Sequence, residues 1–146
     1  MSTKRKILEV VNKIAMAKSV KAINQIDAYD KDNVIRKMTD ELVGLYAELA
    51  RKQNTPITRE LLEKNGFEVA VPRVTLPFKT WRLEANRAFW FDEYEEDRNY
   101  LDDGEFGFVK KGSFLLRFAN NRVDLKTAAD IEDALELCGI DKAIEV

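Results

Sequence analysis

The chain has 146 residues, 45% of them hydrophobic, with eight Phe, four Tyr and two Trp, so it reads as folded, and its length suits one compact domain or a small domain with a helical appendage. It has no histidine and one cysteine; an intrachain disulfide and any zinc site or catalytic pair built on imidazole are excluded, and metal chemistry would have to use carboxylates. The formal net charge of −2 hides a basic start, with six basic residues against Glu9 up to Gln25, and an acidic finish, with seven acids against two lysines from Asp124 onward; this polarity suits partner steering or two solvated faces.

Lys4-Arg5-Lys6 ahead of an apolar stretch imitates a secretion signal. Glu9, Asn12 and Lys13 interrupt the stretch, and no run approaches the ~20 apolar residues of a membrane span. The expectation is a soluble protein of a reducing compartment, without a membrane partner. Ile7, Val10, Val11, Ile14 and Ala17 share a stripe that predicts an amphipathic helix over 3–26. Asp27 to Asp32 supply a turn and a cap, and Ile35, Met38, Leu42, Leu45 and Leu49 then recur at alternating spacings of three and four, a heptad-like seam. Two helices joined by a short polar link predict an antiparallel hairpin.

A boundary falls between Lys52 and Pro56, dividing residues 1–53, the helical hairpin, from residues 54–146, an α+β core domain. Thr58 caps a short helix, Ile57 is placed to meet Leu62, and Asn65-Gly66-Phe67 closes it with Gly66 at the left-handed position. From Glu68 the period becomes two. Val69 and Val71, then Val74, Leu76 and Phe78, then Trp81 and Leu83 predict strands, with Pro72 and Pro77 at an edge or in connections. Phe89-Trp90-Phe91 suits another strand. Tyr94 to Gly104 reads as an acidic loop ending in an Asp103-Gly104 turn, after which 106–109 and 113–118 flank Lys110-Lys111-Gly112 as a hairpin. Asn120-Asn121 makes a turn before the last helix.

That helix carries the strongest local signals. Thr127 and Asp130 match a capping box, Asp130, Glu132 and Asp133 lie near the positive end of the helix dipole, and Ala128, Ile131, Leu135 and Cys138 share a face. Gly139 can take positive φ, with Ile140 returning onto Leu135 in a Schellman closure, and a short strand is expected to follow. The predicted fold is α+β: an N-terminal helical hairpin followed by a small antiparallel sheet covered by a C-terminal helix. Its core joins Ile131, Leu135 and Cys138 to Trp81, Leu83, Phe114, Leu116 and Phe118.

Four patterns bear on chemistry. Phe106-Gly107-Phe108-Val109 matches the centre of the RNA-recognition signature whose aromatics stack bases, but Gly104, Glu105 and Lys111 break its flanks, and the expectation is a buried aromatic hairpin. Asp92, Glu93, Glu95, Glu96, Asp97, Asp102, Asp103 and Glu105 are potential oxygen ligands without a recognised spacing. Lys6, Lys13 and Lys21 on the first helix could follow phosphates without reading bases. Cys138, on an apolar helix face, reads as a small hydrophobe.

Three stretches resemble a group of short, uncharacterised proteins of Bacteroides-type bacteria and their phages and prophages: Ile57 to Phe67, similar to its threonine-capped LEKNGF helix; Trp81-Arg82-Leu83, similar to its tryptophan strand; and Ala134 to Ile144, similar to its ALxLCGIxKxI ending. Where that group often has histidines on the last helix, Ala129 and Asp133 stand here. The resemblance spans roughly residues 56–146 and brings no activity with it. It implies a phage- or prophage-type accessory protein in a bacterial cytoplasm or a phage particle. Such a protein would act by protein–protein binding or self-association rather than as an enzyme, without cofactors. The partner surface is placed on Met38, Leu42, Leu45 and Leu49. A second reading is weak, non-sequence-specific nucleic-acid binding through Lys6, Lys13 and Lys21; a third is a carboxylate metal site in the acidic stretch.

Overall fold

The computed structural model describes residues 1–22, 24–71, 76–102, 105–118 and 121–146, which form four α-helices and seven β-strands in an α+β arrangement. Helix α1 (Thr3–Ser19) starts at Ser2, whose hydroxyl accepts from the Arg5 N–H at 3.2 Å. It ends seven residues before the expected Ile26. The Ser19 hydroxyl donates to the Met16 carbonyl at 2.7 Å, and Val20 is extended. Asn24 then caps α2 (Gln25–Gln53) by accepting from the Asp27 N–H at 2.8 Å, so the turn precedes the expected Asp27 to Asp32. An Asn that satisfies an orphan donor outweighs a fading apolar stripe. The helices run antiparallel, with Lys31 donating to the Lys18 carbonyl at one end and Lys52 to the Thr3 hydroxyl at the other.

After α3 (Arg59–Lys64), capped by Thr58, the chain enters a five-stranded antiparallel sheet in the order β1 (Phe67–Ala70), β2 (Phe78–Leu83), β3 (Trp90–Tyr94), β6 (Phe114–Phe118), β7 (Asn121–Leu125). Strands β4 (Arg98–Asp102) and β5 (Glu105–Val109) form a separate two-stranded ribbon. This corrects three expectations. Part of the acidic stretch read as a loop is strand β4, because ladder hydrogen bonds use the backbone and tolerate charged side chains on a solvated ribbon. The expected hairpin of 106–109 with 113–118 does not form: β5 pairs with β4, while the Lys110 to Ser113 turn carries the chain back so that β6 lies beside β3. Tyr94 seals this junction, accepting from the Gly112 N–H and donating to the Ser113 carbonyl. Strand β7, on a stretch with no expected strand, alternates polar Arg122 and Asp124 with inward Val123 and Leu125. Pro72, Val74, the Asp103-Gly104 turn, Asn120 and the side chain of Phe118 lie outside the described part.

One face of the sheet is covered by α3 and α4 (Ala128–Leu137). The core beneath them joins Leu62, Phe67, Trp81, Leu83, Phe91, Leu116, Ile131 and Leu135, with Phe114 and Cys138 at its margin. Edge-on ring contacts link Phe89 to Phe91 and Phe91 to Phe114. The capping box of α4 is formed in both directions. Its end is a full Schellman closure, with Gly139 at φ 74°, Ile140 N–H donating to Leu135 and Gly139 N–H to Glu136. The expected strand after it is absent: Ile140 to Val146 is irregular, because side chains replace a ladder. Glu132 accepts from the Ile144 N–H at 2.9 Å, and Asn65 accepts from the Glu145 N–H at 2.7 Å while donating back to its carbonyl.

Glu132 also joins the hairpin to the sheet. Lys52 is 2% exposed and Glu132 3%, their charged atoms 2.6 Å apart; Lys52 reaches the Thr3 hydroxyl at 2.8 Å, and the Thr3 N–H donates to Glu132 at 2.5 Å. Burial alone would raise the Glu132 carboxyl, but the hydrogen bond from Lys52, with those from Ile144 and Thr3, holds it below the usual carboxylate range. Around this pair the terminal amine meets Asp141 at 2.9 Å and Lys4 meets Asp133 at 2.7 Å. Part of the basic start is therefore neutralised within the chain by the acidic finish.

Candidate binding surface on the open sheet face

Alternation along the strands gives the sheet two different faces. Trp81, Leu83 and Phe91 point into the core, so Thr80, Arg82, Trp90 and Asp92 point the other way, where no helix packs among the described residues. Cross-strand register places Glu68 beside Arg82 and Arg82 beside Trp90. Asp92 stands opposite Leu115, so two residues further along Arg117 comes level with Trp90, and Arg122 is opposite Arg117. The sequence thus lays an indole between guanidinium groups across neighbouring strands.

Thr80, Arg82, Trp90, Asp92 and Arg117, with Ala70, Phe78 and Arg87, line a hollow of about 450 Å³. Trp90 is 43% exposed at its margin. Arg82 donates its Nε–H to Glu68 at 2.7 Å, leaving its terminal nitrogens for other acceptors, while Arg87 approaches the same carboxylate only to 3.9 Å. Asp92 accepts from the Thr80 hydroxyl at 2.8 Å. Burial pushes its carboxyl up, against the lowering influence of that bond and of Arg117.

At the other end of the face, Phe108, Lys110, Leu115, Arg122 and Asp124 surround a second hollow of about 360 Å³. Tyr94, Val109, Leu115 and Phe78 pack into a small apolar cluster that supports the ribbon against the sheet. Phe108, expected to be buried, is 61% exposed, because its neighbour Val109 turns inward as the foot of the ribbon. The face therefore offers two aromatic rings, several guanidinium groups and a lysine ammonium. That combination suits the grip of a flat, anionic ligand by stacking and charge.

The residues singled out from sequence are placed elsewhere. Met38, Leu42, Leu45 and Leu49 are half-buried on the stripe of α2 that continues to Lys52, and so face α1. The exposed apolar residues of the hairpin include Leu8, Val43 and Tyr46, with Met16, Ile26 and Tyr29 nearer its turn. Lys6 is half-buried, Lys13 is exposed, and Lys21 lies beyond the end of α1, so the three lysines do not form one helical stripe. Among the described acidic residues, Asp92 bonds Thr80, Glu95 pairs with Lys79 at 3.4 Å, and Asp97 accepts from the Lys111 N–H at 2.7 Å; Asp103 and the side chains of Asp102 and Glu105 lie outside the described part. Among the described residues no three His, Cys, Asp or Glu side chains gather as a metal site. Cys138 is half-buried, and burial pushes its thiol up, away from the reactive thiolate. Ala129 is buried and Asp133 is engaged by Lys4.

The arginine and tryptophan row went unnoticed in the sequence because its members are scattered over 36 positions and meet only through strand register. The usable signal was the polar half of each alternating strand. Among the described residues no helix is long and apolar enough to cross a membrane. Compared with protein-family models, curated proteins and solved structures, the chain matches none.

Proposed function

We propose that this protein works by binding rather than by turnover, as an accessory protein of phage or prophage type in a bacterial cytoplasm or a phage particle, and that its ligand surface is the open sheet face. The observation that carries this reading is the row Arg82, Trp90, Arg117 beside the 450 Å³ hollow, which presents fixed cations and a stacking surface. Its carboxylate, Asp92, is engaged by Thr80. Titration of polyanions against Trp90 emission tests it. Saturable quenching that weakens with salt, without consumption of the ligand, is expected. Failure of every polyanion to bind overturns it, as does turnover of nucleotides, esters or peptides that Asp92→Asn abolishes.

A second reading, protein association through the hairpin, is favoured by the exposure of Leu8, Val43 and Tyr46 beside a seam already turned inward. Light scattering of Tyr46→Asp against the intact chain checks it: a complex that dissociates while helicity is kept supports association. A monomeric mass for the intact chain at tens of micromolar removes self-association. Leu45→Asp, on the seam facing α1, should instead lose helical signal.

A further inference from the structure

We propose that the open sheet face binds single-stranded nucleic acid, with bases stacking on Trp90 and Phe108 and phosphates held by Arg82 and Arg117. This deepens the reading of that face as the ligand surface and rests on it. The two rings belong to different hollows on the same side of the molecule, one on β3 and the other on the ribbon above β6 and β7. Strands β3 and β7 are two steps apart, roughly 10 Å at the usual strand spacing. Arg117 comes level with Trp90 on the neighbouring strand, on the side toward the ribbon, so a guanidinium group borders the path that a phosphodiester would take between stacked bases.

Charge complementarity selects the ligand class. Among the described residues around the hollows, Arg82, Arg87, Lys110 and Arg117 face Glu68, Asp92 and Asp124, an excess of positive charge in a chain that is negative overall. A duplex hides its base faces in the stack, where no side chain can stack on them. Unpaired bases expose the π-faces that aromatic platforms stack, and a basic track follows their backbone.

The intact protein supplies its own reporters: Trp90 is on the face, while Trp81, 1% exposed in the core, reports folding. Titration with 12-nucleotide oligothymidylate and oligouridylate at 50 mM salt should quench Trp90. With about two phosphates held, the log–log salt slope is near −1.4, roughly a sevenfold loss of affinity between 50 and 200 mM. In anisotropy with labelled oligonucleotide, Trp90→Ala should weaken binding at least about fivefold. Arg117→Gln should lower the slope by about 0.7. A 12-base-pair duplex should compete less well than either single strand.

Absence of binding by both oligonucleotides at 50 mM salt overturns the proposal. So does binding that Trp90→Ala with Arg117→Gln leaves intact but Lys13→Glu with Lys21→Glu removes, which would move the site to the N-terminal helix. If heparin, which has no bases, quenches Trp90 as tightly as oligothymidylate, the face remains an anion-binding surface and the assignment to nucleic acid falls.

Discussion

Replacing Lys52 with methionine removes the cation from a carboxylate that is 3% exposed and leaves Glu132 with only backbone donors, the N–H groups of Thr3 and Ile144. Breaking one side of such a pair costs about 3–5 kcal/mol, because the remaining charge stays buried without its counterion. Against a total of about 5–15 kcal/mol for a domain, this is a large fraction. Glu132→Leu should cost more, since it strands the two N–H groups, at about 1–3 kcal/mol for each unsatisfied donor, and leaves Lys52 only the half-exposed Glu48 at 3.3 Å and the Thr3 hydroxyl. The informative rescue is therefore Lys52→Met with Glu132→Gln, which removes both charges and keeps an amide oxygen for one of the two N–H donors, since Thr3 and Ile144 bond different oxygens of the carboxylate. The expected order of stability is wild type, then the Met/Gln pair, then Lys52→Met, then Glu132→Leu. Urea unfolding followed by helical circular dichroism reads the order from the midpoints, with the m-values checked for constancy. The coupling between Lys52→Met and Glu132→Gln should exceed about 1 kcal/mol, whereas independent sites add to within roughly 0.5 kcal/mol. Additive effects, or a Lys52→Met cost below about 1 kcal/mol, would show that water reaches the pair and that it does not fasten the hairpin to the sheet.

Three further outcomes are expected. Leu135→Ala, at a fully buried position of α4, should cost about 2–5 kcal/mol in the same urea assay, and a cost below about 1 kcal/mol would remove α4 as the organising element of the core. Because the folded Glu132 carboxyl lies below its unfolded value of about 4.3, the stability it supplies is complete above that pH and is lost as pH falls through the folded value. Unfolding at stepped pH should accordingly show the deficit of Glu132→Gln shrinking toward acid. Asp92 has the opposite sign: its folded value is raised above the unfolded value of about 3.9, so wild type loses ground to Asp92→Asn as pH climbs from there through the folded value, a trend a pH series of melting temperatures would reveal.

Local chemistry in the sequence determined the elements whose stabilising contacts lie within a few residues. The Thr127 and Asp130 capping box, the Gly139 closure, the Thr58 cap and the left-handed Gly66 all follow from side chains within one turn of their own backbone. So did the inward set of Trp81, Leu83, Leu116, Ile131 and Leu135, since burial follows helical or strand periodicity. Tertiary structure decided what depends on partners far along the chain. An acidic segment became β4 because β5 offered a backbone ladder, and the expected terminal strand failed because Glu132 and Asn65 supplied acceptors that no local pattern announces. Lys52 and Glu132 lie 80 positions apart, and either alone reads as an ordinary surface charge; only their mutual burial makes them a joint. The candidate ligand face has the same origin. Arg82, Trp90 and Arg117 occupy the polar half of three strands, and they become one surface because antiparallel register brings separated segments to the same level while the helices cover the opposite side.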